Sequence, residues 1–185
     1  TGRERFEPGN PQEGYSPSPQ ERQSWLQISY MKEAYHTMGP KFTLGWMAEA
    51  LYSSKNFSEN YTATMMQAGE FAPTPHSKLM YNEAFRANQY VAAGIKPIYV
   101  LNDMFQFRTE FYGFTPIFPI KKNALNKAYY GKAFSRFEYM GEVSVICHLP
   151  FGAISAYVNH YSSPRREWNV GMTIGWQLFN YRFVE

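Results

Sequence analysis

The chain has 185 residues, the length of one domain, and a net charge of +3 from basic residues that are scattered rather than clustered. No stripe of Lys and Arg interleaves with aromatic residues, so nucleic acid is not an expected partner. Only 18% of residues are charged, against roughly 25% in average soluble chains, while 18% are aromatic.

Residues 1–23 hold Pro8, Pro11, Pro17 and Pro19 among Gly, Ser and Gln, and read as a flexible loop or arm. Thr1 in place of an initiator Met reads as the mark of a chain processed or cut from something longer, and the opening "TGRERFEPGNPQ" lacks the apolar run of a signal peptide. Period-two alternation then begins. Residues 24–36 are the first predicted strand. Residues 40–53 are the second, with Phe42, Leu44, Trp46, Ala48, Ala50 and Tyr52 on one face and Thr43, Gly45 and Glu49 on the other. The long loop 54–86 breaks the pattern; within it Asn60 is placed to cap a short helix in "SENYTATMMQAGEF". Residues 87–100 are a third strand, marred by Gly94 and Pro97.

The fourth strand, residues 103–114, sets Gln106, Arg108 and Glu110 against Phe105, Phe107 and Phe111. Residues 115–131 form a loop with Pro116 and Pro119. The fifth strand, residues 132–147, sets Arg136, Glu138, Met140, Glu142 and Ser144 against Phe137, Tyr139, Gly141, Val143 and Val145. Residues 151–161 are the sixth strand and residues 166–179 the seventh. In the seventh, Trp168, Val170, Met172, Ile174, Trp176 and Leu178 make one apolar face, while Asn169, Gly171, Thr173 and Gly175 lie on the other.

Tight connections ("TMGP", "LND", "HLPFG") alternate with longer ones, the layout of an outer-membrane barrel. No stretch approaches the roughly 20 apolar residues of a membrane-spanning helix, which excludes a helical span but not a membrane. In hydrocarbon every backbone polar group must be paired, so strands cross only as a closed barrel. The expected fold is therefore all-β: an antiparallel up-and-down β-barrel of transmembrane type, or part of one, with about seven to eight strands over residues 24–185. Trp168, Val170, Ile174, Trp176 and Leu178 are expected to face lipid, with tryptophans near the interfaces. Gln106, Arg108, Glu110, Arg136, Glu138 and Glu142 are expected to line a polar lumen. Single-chain barrels have an even strand number, so a count of seven, with two unpaired edges, calls for upstream strands of a parent protein or for a second copy of the chain. A soluble β-barrel that binds a lipid or other apolar ligand alternates too, with its apolar face inward, and is the competing reading.

The last 45 residues, with a strand ending in "HLPFG", then "ISAYVNHYS", then an amphipathic strand closing in "RFVE", resemble the C-terminal end of the patatin-like phospholipases of Bacteroidetes. The stretch "FAPTPHSKLMYNEAFRANQYVAAGIKPIY" is similar to that family as well. The resemblance implies a barrel of the surface-antigen type in the bacterial outer membrane, anchoring and helping to export an N-terminal lipid acyl hydrolase. The family's G-x-S-x-G nucleophile and D-G-[GA] partner are both missing here; Asp103 is followed by Met104. No catalytic residue is therefore carried over, and this chain is not expected to be an enzyme. His76, Ser77 and Glu83 could suggest nucleophilic catalysis, but a polar external loop accounts for them better. The one cysteine, Cys147, excludes an internal disulfide, and His36, His76, His148 and His160 lack metal-ligand spacing. No metal or cofactor is expected.

Overall fold

A computed structural model describes residues 2–4, 23–58, 60–163 and 168–176. The fold is all-β and antiparallel. Seven long strands make one sheet: β1 (Gln27–Thr37), β2 (Phe42–Ser53), β3 (Gln89–Val100), β4 (Phe105–Pro116), β5 (Glu138–Leu149), β6 (Gly152–Tyr161) and β7 (Trp168–Trp176). Each strand pairs with the next in sequence, so the order is a plain up-and-down meander. The sheet is not closed into a barrel: among the described residues β1 and β7 each keep one unpaired edge.

The tight connections lie at one end. Between β3 and β4, Asn102 Oδ1 accepts from the backbone N–H of Met104 and of Phe105 at 3.0 and 2.8 Å, a side-chain-closed turn. Between β5 and β6 the pair Leu149↔Gly152 leaves a two-residue loop. The long connections lie at the other end. Residues 54–88 form an insert with α1 (Tyr61–Gln67), the pair Gly69–Glu70 with Arg86–Ala87, and short 3-10 turns at Ser77–Leu79 and Glu83–Phe85. Asn60 Oδ1 accepts from Ala63 N–H at 2.8 Å, so the expected helix cap is in place.

The insert corrects the reading of 54–86 as an external polar loop. It folds onto one face of the sheet, hereafter the covered face. Its Phe71 and Phe85 are buried with Tyr90, Tyr112, Phe114, Met140 and Tyr161 of the strands. Phe71 stacks on Phe114 at 5.8 Å and meets Tyr112 edge-on at 6.0 Å. No periodicity marks these rings because they sit in irregular backbone. Arg86 holds the insert together: its guanidinium donates to the carbonyls of Met65, Met66 and Ala68 at 3.2–3.4 Å and pairs with Glu70. These carbonyls are at the helix C-terminus, where a cation is favoured.

Three other details differ from expectation. The third strand is unbroken despite Pro97. Pro97 pairs with Leu44 of β2, while the β3–β4 ladder lapses at Lys96 and Pro97 and resumes in the same register at Ile98↔Arg108. The missing N–H is absorbed on the β4 side alone. The fifth strand starts at Glu138 rather than at 132, and Phe134 just before it is left-handed with φ 51°. Finally, residues 2–4 of the expected N-terminal arm are a strand, with Gly2↔Trp25, Arg3↔Ser24 and Glu4↔Gln23; residues 5–22 lie outside the described residues.

Glycines on the covered face hold tyrosine rings. A Cβ on Gly94 would lie 2.1 Å from Tyr112 Cδ1, and one on Gly45 or Gly171 would strike Tyr35 or Tyr157. Each tyrosine stands directly across from its glycine on the neighbouring strand. The ring covers backbone that a glycine leaves bare. Gly94→Val is expected to lower stability by about 1–3 kcal/mol through overpacking. In a Tyr112→Ala background the same substitution should cost clearly less, as chemical denaturation of the four proteins of the cycle would reveal.

Candidate functional site

Successive side chains of a strand point to opposite faces. The register therefore sorts the sheet into rows. On the outer face, opposite the insert, Ala34, Trp46, Ile95, Phe111, Gly141, His160 and Trp168 stand side by side across all seven strands. One residue away on the covered face the row reads Tyr35, Gly45, Lys96, Glu110, Glu142, Asn159, Asn169. Of the charged residues in the seven strands, Glu33, Glu49, Lys96, Arg108, Glu110, Glu138 and Glu142 share the covered face. Lys32 alone is on the outer face, its Nζ 5.7 Å over the Trp46 ring.

The outer face is apolar and uncovered. Ile95, Phe111 and Val143 belong to central strands, yet are 50, 50 and 52% exposed. Val143, Val158 and Val170 are direct neighbours across β5, β6 and β7. Rings cluster toward the long-connection end: Phe111 stacks on Tyr139 and Tyr139 on His160, both at 6.0 Å, and His160 meets Trp168 at 4.8 Å. Toward the other end Phe42, Tyr99 and Phe107 are directly opposite one another. Trp46 Nε1–H donates to His36 Nε2 at 3.3 Å, so its one polar atom is satisfied on that face. Cys147 shares the outer face with Val145 and Leu149.

On the covered face most carboxylates have partners. Glu33 takes Lys96 Nζ and the Tyr35 hydroxyl, and Glu110 takes Arg108 Nε and the Tyr112 hydroxyl. Tyr90 donates to Glu49 at 2.5 Å. Glu138 Oε1 accepts from Arg136 Nε at 2.9 Å, and Ser162 Oγ donates to Glu138 Oε2 at 2.5 Å. Gln106 Oε1 lies 3.2 Å from His148 Nε2.

The structure thus brings the six polar residues named from sequence to the covered side, with one change. Arg136 precedes β5 and is not part of its ladder; besides Glu138 it reaches the insert, donating to the Ala84 carbonyl at 2.7 Å. Trp168, Val170 and Ile174 are on the outer face and exposed. The Trp176 side chain and Leu178 lie outside the described residues. Sequence reading placed Glu49 opposite the apolar face of β2 but missed Glu33, Lys96 and Asn159 as members of the polar face. The same alternation rule assigns them once β1, β3 and β6 are in register.

His76, Ser77 and Glu83 do not assemble. Ser77 Oγ donates to the Thr74 carbonyl at 2.8 Å, His76 Nδ1 lies 2.8 Å from the Tyr161 hydroxyl, and Glu83 takes the Tyr61 hydroxyl. Among the described residues no group of three or more His, Cys, Asp or Glu gathers at metal-binding distance. Comparison with protein-family models, with curated proteins and with solved structures finds no match for the chain.

Two outcomes follow from these contacts. Glu110 is 2% exposed, so Arg108→Leu would leave a buried carboxylate without its cation, at a cost of about 3–5 kcal/mol. Arg108→Leu with Glu110→Leu should recover most of that loss in denaturant titrations. Burial holds the His76 imidazole below its ordinary pKa of 6.5. The unfolded chain then binds this proton more readily than the folded one, so stability is full above pH 6.5 and falls as pH drops below it. His76→Gln should flatten that fall in unfolding curves taken between neutral and mildly acidic pH.

Proposed function

We propose that the chain is part of a β-barrel in the bacterial outer membrane, its outer face against lipid and its covered face toward the lumen. The observation that carries this reading is the segregation of charge: one row across all seven strands has no Asp, Glu, Lys or Arg and is mostly apolar or aromatic, and the next row, one residue away, holds Lys96, Glu110, Glu142, Asn159 and Asn169. Soluble monomers rarely leave so large an apolar face uncovered. A transmembrane barrel requires it, together with aromatic side chains near both rims and short turns at one end. The lone outward cation, Lys32, has a long stem that can carry its charge along Trp46 toward the interface.

The free edges call for partners, because unpaired strand edges are not tolerated in hydrocarbon. Upstream strands of a parent protein fit better than a second copy. Gly2–Glu4 already runs antiparallel to Gln23–Trp25, and a strand continuing N-terminally from Gly2 in that register lies along the open edge of β1. The resemblance to the C-terminal end of patatin-like phospholipases supports a role in anchoring, and helping to export, an N-terminal lipid acyl hydrolase. The hydrolytic residues would then belong to the parent, and the pure chain should not cleave a p-nitrophenyl ester. A soluble carrier of apolar ligands would cover its apolar face, whereas here the face covered by the rings of the insert is the charged one.

Val143→Arg tests whether the exposed outer face meets lipid or water. With Val143 against lipid near the bilayer centre, the substitution should cost about 2–4 kcal/mol and deplete folded protein from membranes. On a water-exposed face the same change would stay within about 0.5 kcal/mol. Folded yield in lipid vesicles, with fractionation of the wild-type chain between detergent and aqueous extracts, reads the difference.

A further inference from the structure

Glu142 is the exception on the covered face. It is 7% exposed and stands directly opposite Glu110 of β4, itself 2% exposed. Like charges directly across a ladder repel. Glu110 is neutralised by Arg108, whereas among the described residues no ion pair reaches Glu142, on which Arg108 acts only at longer range. On its other side Glu142 stands directly opposite Asn159 of β6, which is 2% exposed. Glu142 Oε2 and both polar atoms of the Asn159 side chain are buried and make no hydrogen bond of ordinary geometry, although Asn159 and Thr74 stand beside the Glu142 carboxylate. Buried polar atoms with no partner are rare and point to something that belongs between them.

Water would satisfy hydrogen bonds there but not the charge. Among these described neighbours, the ionised carboxylates of Glu33, Glu110 and Glu142 set three negative charges against the two positive charges of Lys96 and Arg108. The donors on offer are all oxygens: two carboxylates and an amide carbonyl. That set suits a hard cation, with metal–oxygen distances of about 2.0–2.6 Å. Residues directly opposite on neighbouring strands have Cβ atoms about 4.5–5.5 Å apart, so Glu110, Glu142 and Asn159 can converge on one ion.

We propose that Glu142, Asn159 and Glu110 form a binding site for a hard metal cation, Na⁺ or Ca²⁺, on the covered face of β4, β5 and β6. The site ties three strands together beneath the insert. It does not depend on what meets the outer face, so it stands or falls apart from the membrane reading.

The test uses the whole chain, folded in detergent micelles and exchanged into choline chloride. NaCl and CaCl₂ are titrated separately at constant ionic strength while the unfolding midpoint is followed. The expected result is a saturable rise with at least one of the two ions. The folded-to-unfolded ratio should increase about a hundredfold once that ion reaches a hundred times its dissociation constant. A response to NaCl assigns the monovalent ion, and a response to CaCl₂ alone assigns the divalent one. Glu142→Gln and Asn159→Leu should each abolish the ion-specific rise. Equal midpoints in choline, sodium and calcium would overturn the proposal, as would a Glu142→Gln protein that still responds like wild type. If Glu142→Gln does not fold, ²³Na relaxation and calorimetric titration with CaCl₂ on the wild-type chain decide, and absence of binding in both is refutation.

Discussion

A β-strand offers its two faces to two surroundings, and the period of two admits no compromise between them. In this protein that constraint divides the sheet by charge. Trp46 and Gly45 are neighbours in sequence, yet the first stands in a row of apolar and aromatic side chains and the second in a row with Lys96, Glu110, Glu142 and Asn159. A slip of one residue in β4 would put Glu110 into the apolar row and Phe111 among the charges. The register is therefore most strongly specified in the strands that carry charge, β1 to β5.

Everything else accommodates that division. The polar face cannot remain an open trough of buried carboxylates, so tyrosines donate to Glu33, Glu49 and Glu110 and cations pair with Glu33, Glu110 and Glu138. Glycines at 45, 94 and 171 make room for tyrosine rings to lie against the sheet. Residues 54–88 then cover the half nearest the long connections, with Phe71 and Phe85 entering between Tyr90, Tyr112, Phe114 and Tyr161. Arg86 binds the insert to itself and Arg136 binds it to the wall through the Ala84 carbonyl.

The strands and their two faces were legible in the sequence because alternation is a local signal. Phe42 to Tyr52, Phe105 to Phe111 and Glu138 to Val145 announce it without help from tertiary structure. The covering of the polar face was not legible. Phe71 and Phe85 lie in backbone without period, and only the register of distant strands shows that Tyr112, Phe114 and Tyr161 await them. Pro97 obscured β3 because a missing donor is harmful in a central strand, unless one ladder alone loses its pairing, as here. Phe134 displaced the start of β5 by adopting a positive φ that its residue type does not advertise. Lys96 and Glu33, which pair from two different strands, were individually readable but meaningful only together.

On the membrane reading proposed above the outer face meets lipid, and Trp46 stands in its central rows between Ala34 and Ile95. The most direct measurement keeps Trp46 as the only tryptophan and places the folded protein in vesicles whose acyl chains carry bromine. Strong quenching of Trp46 fluorescence by the brominated chains, with weak quenching by aqueous iodide, is the predicted result. Efficient quenching by iodide with none from the brominated chains would place this face in water and contradict the account.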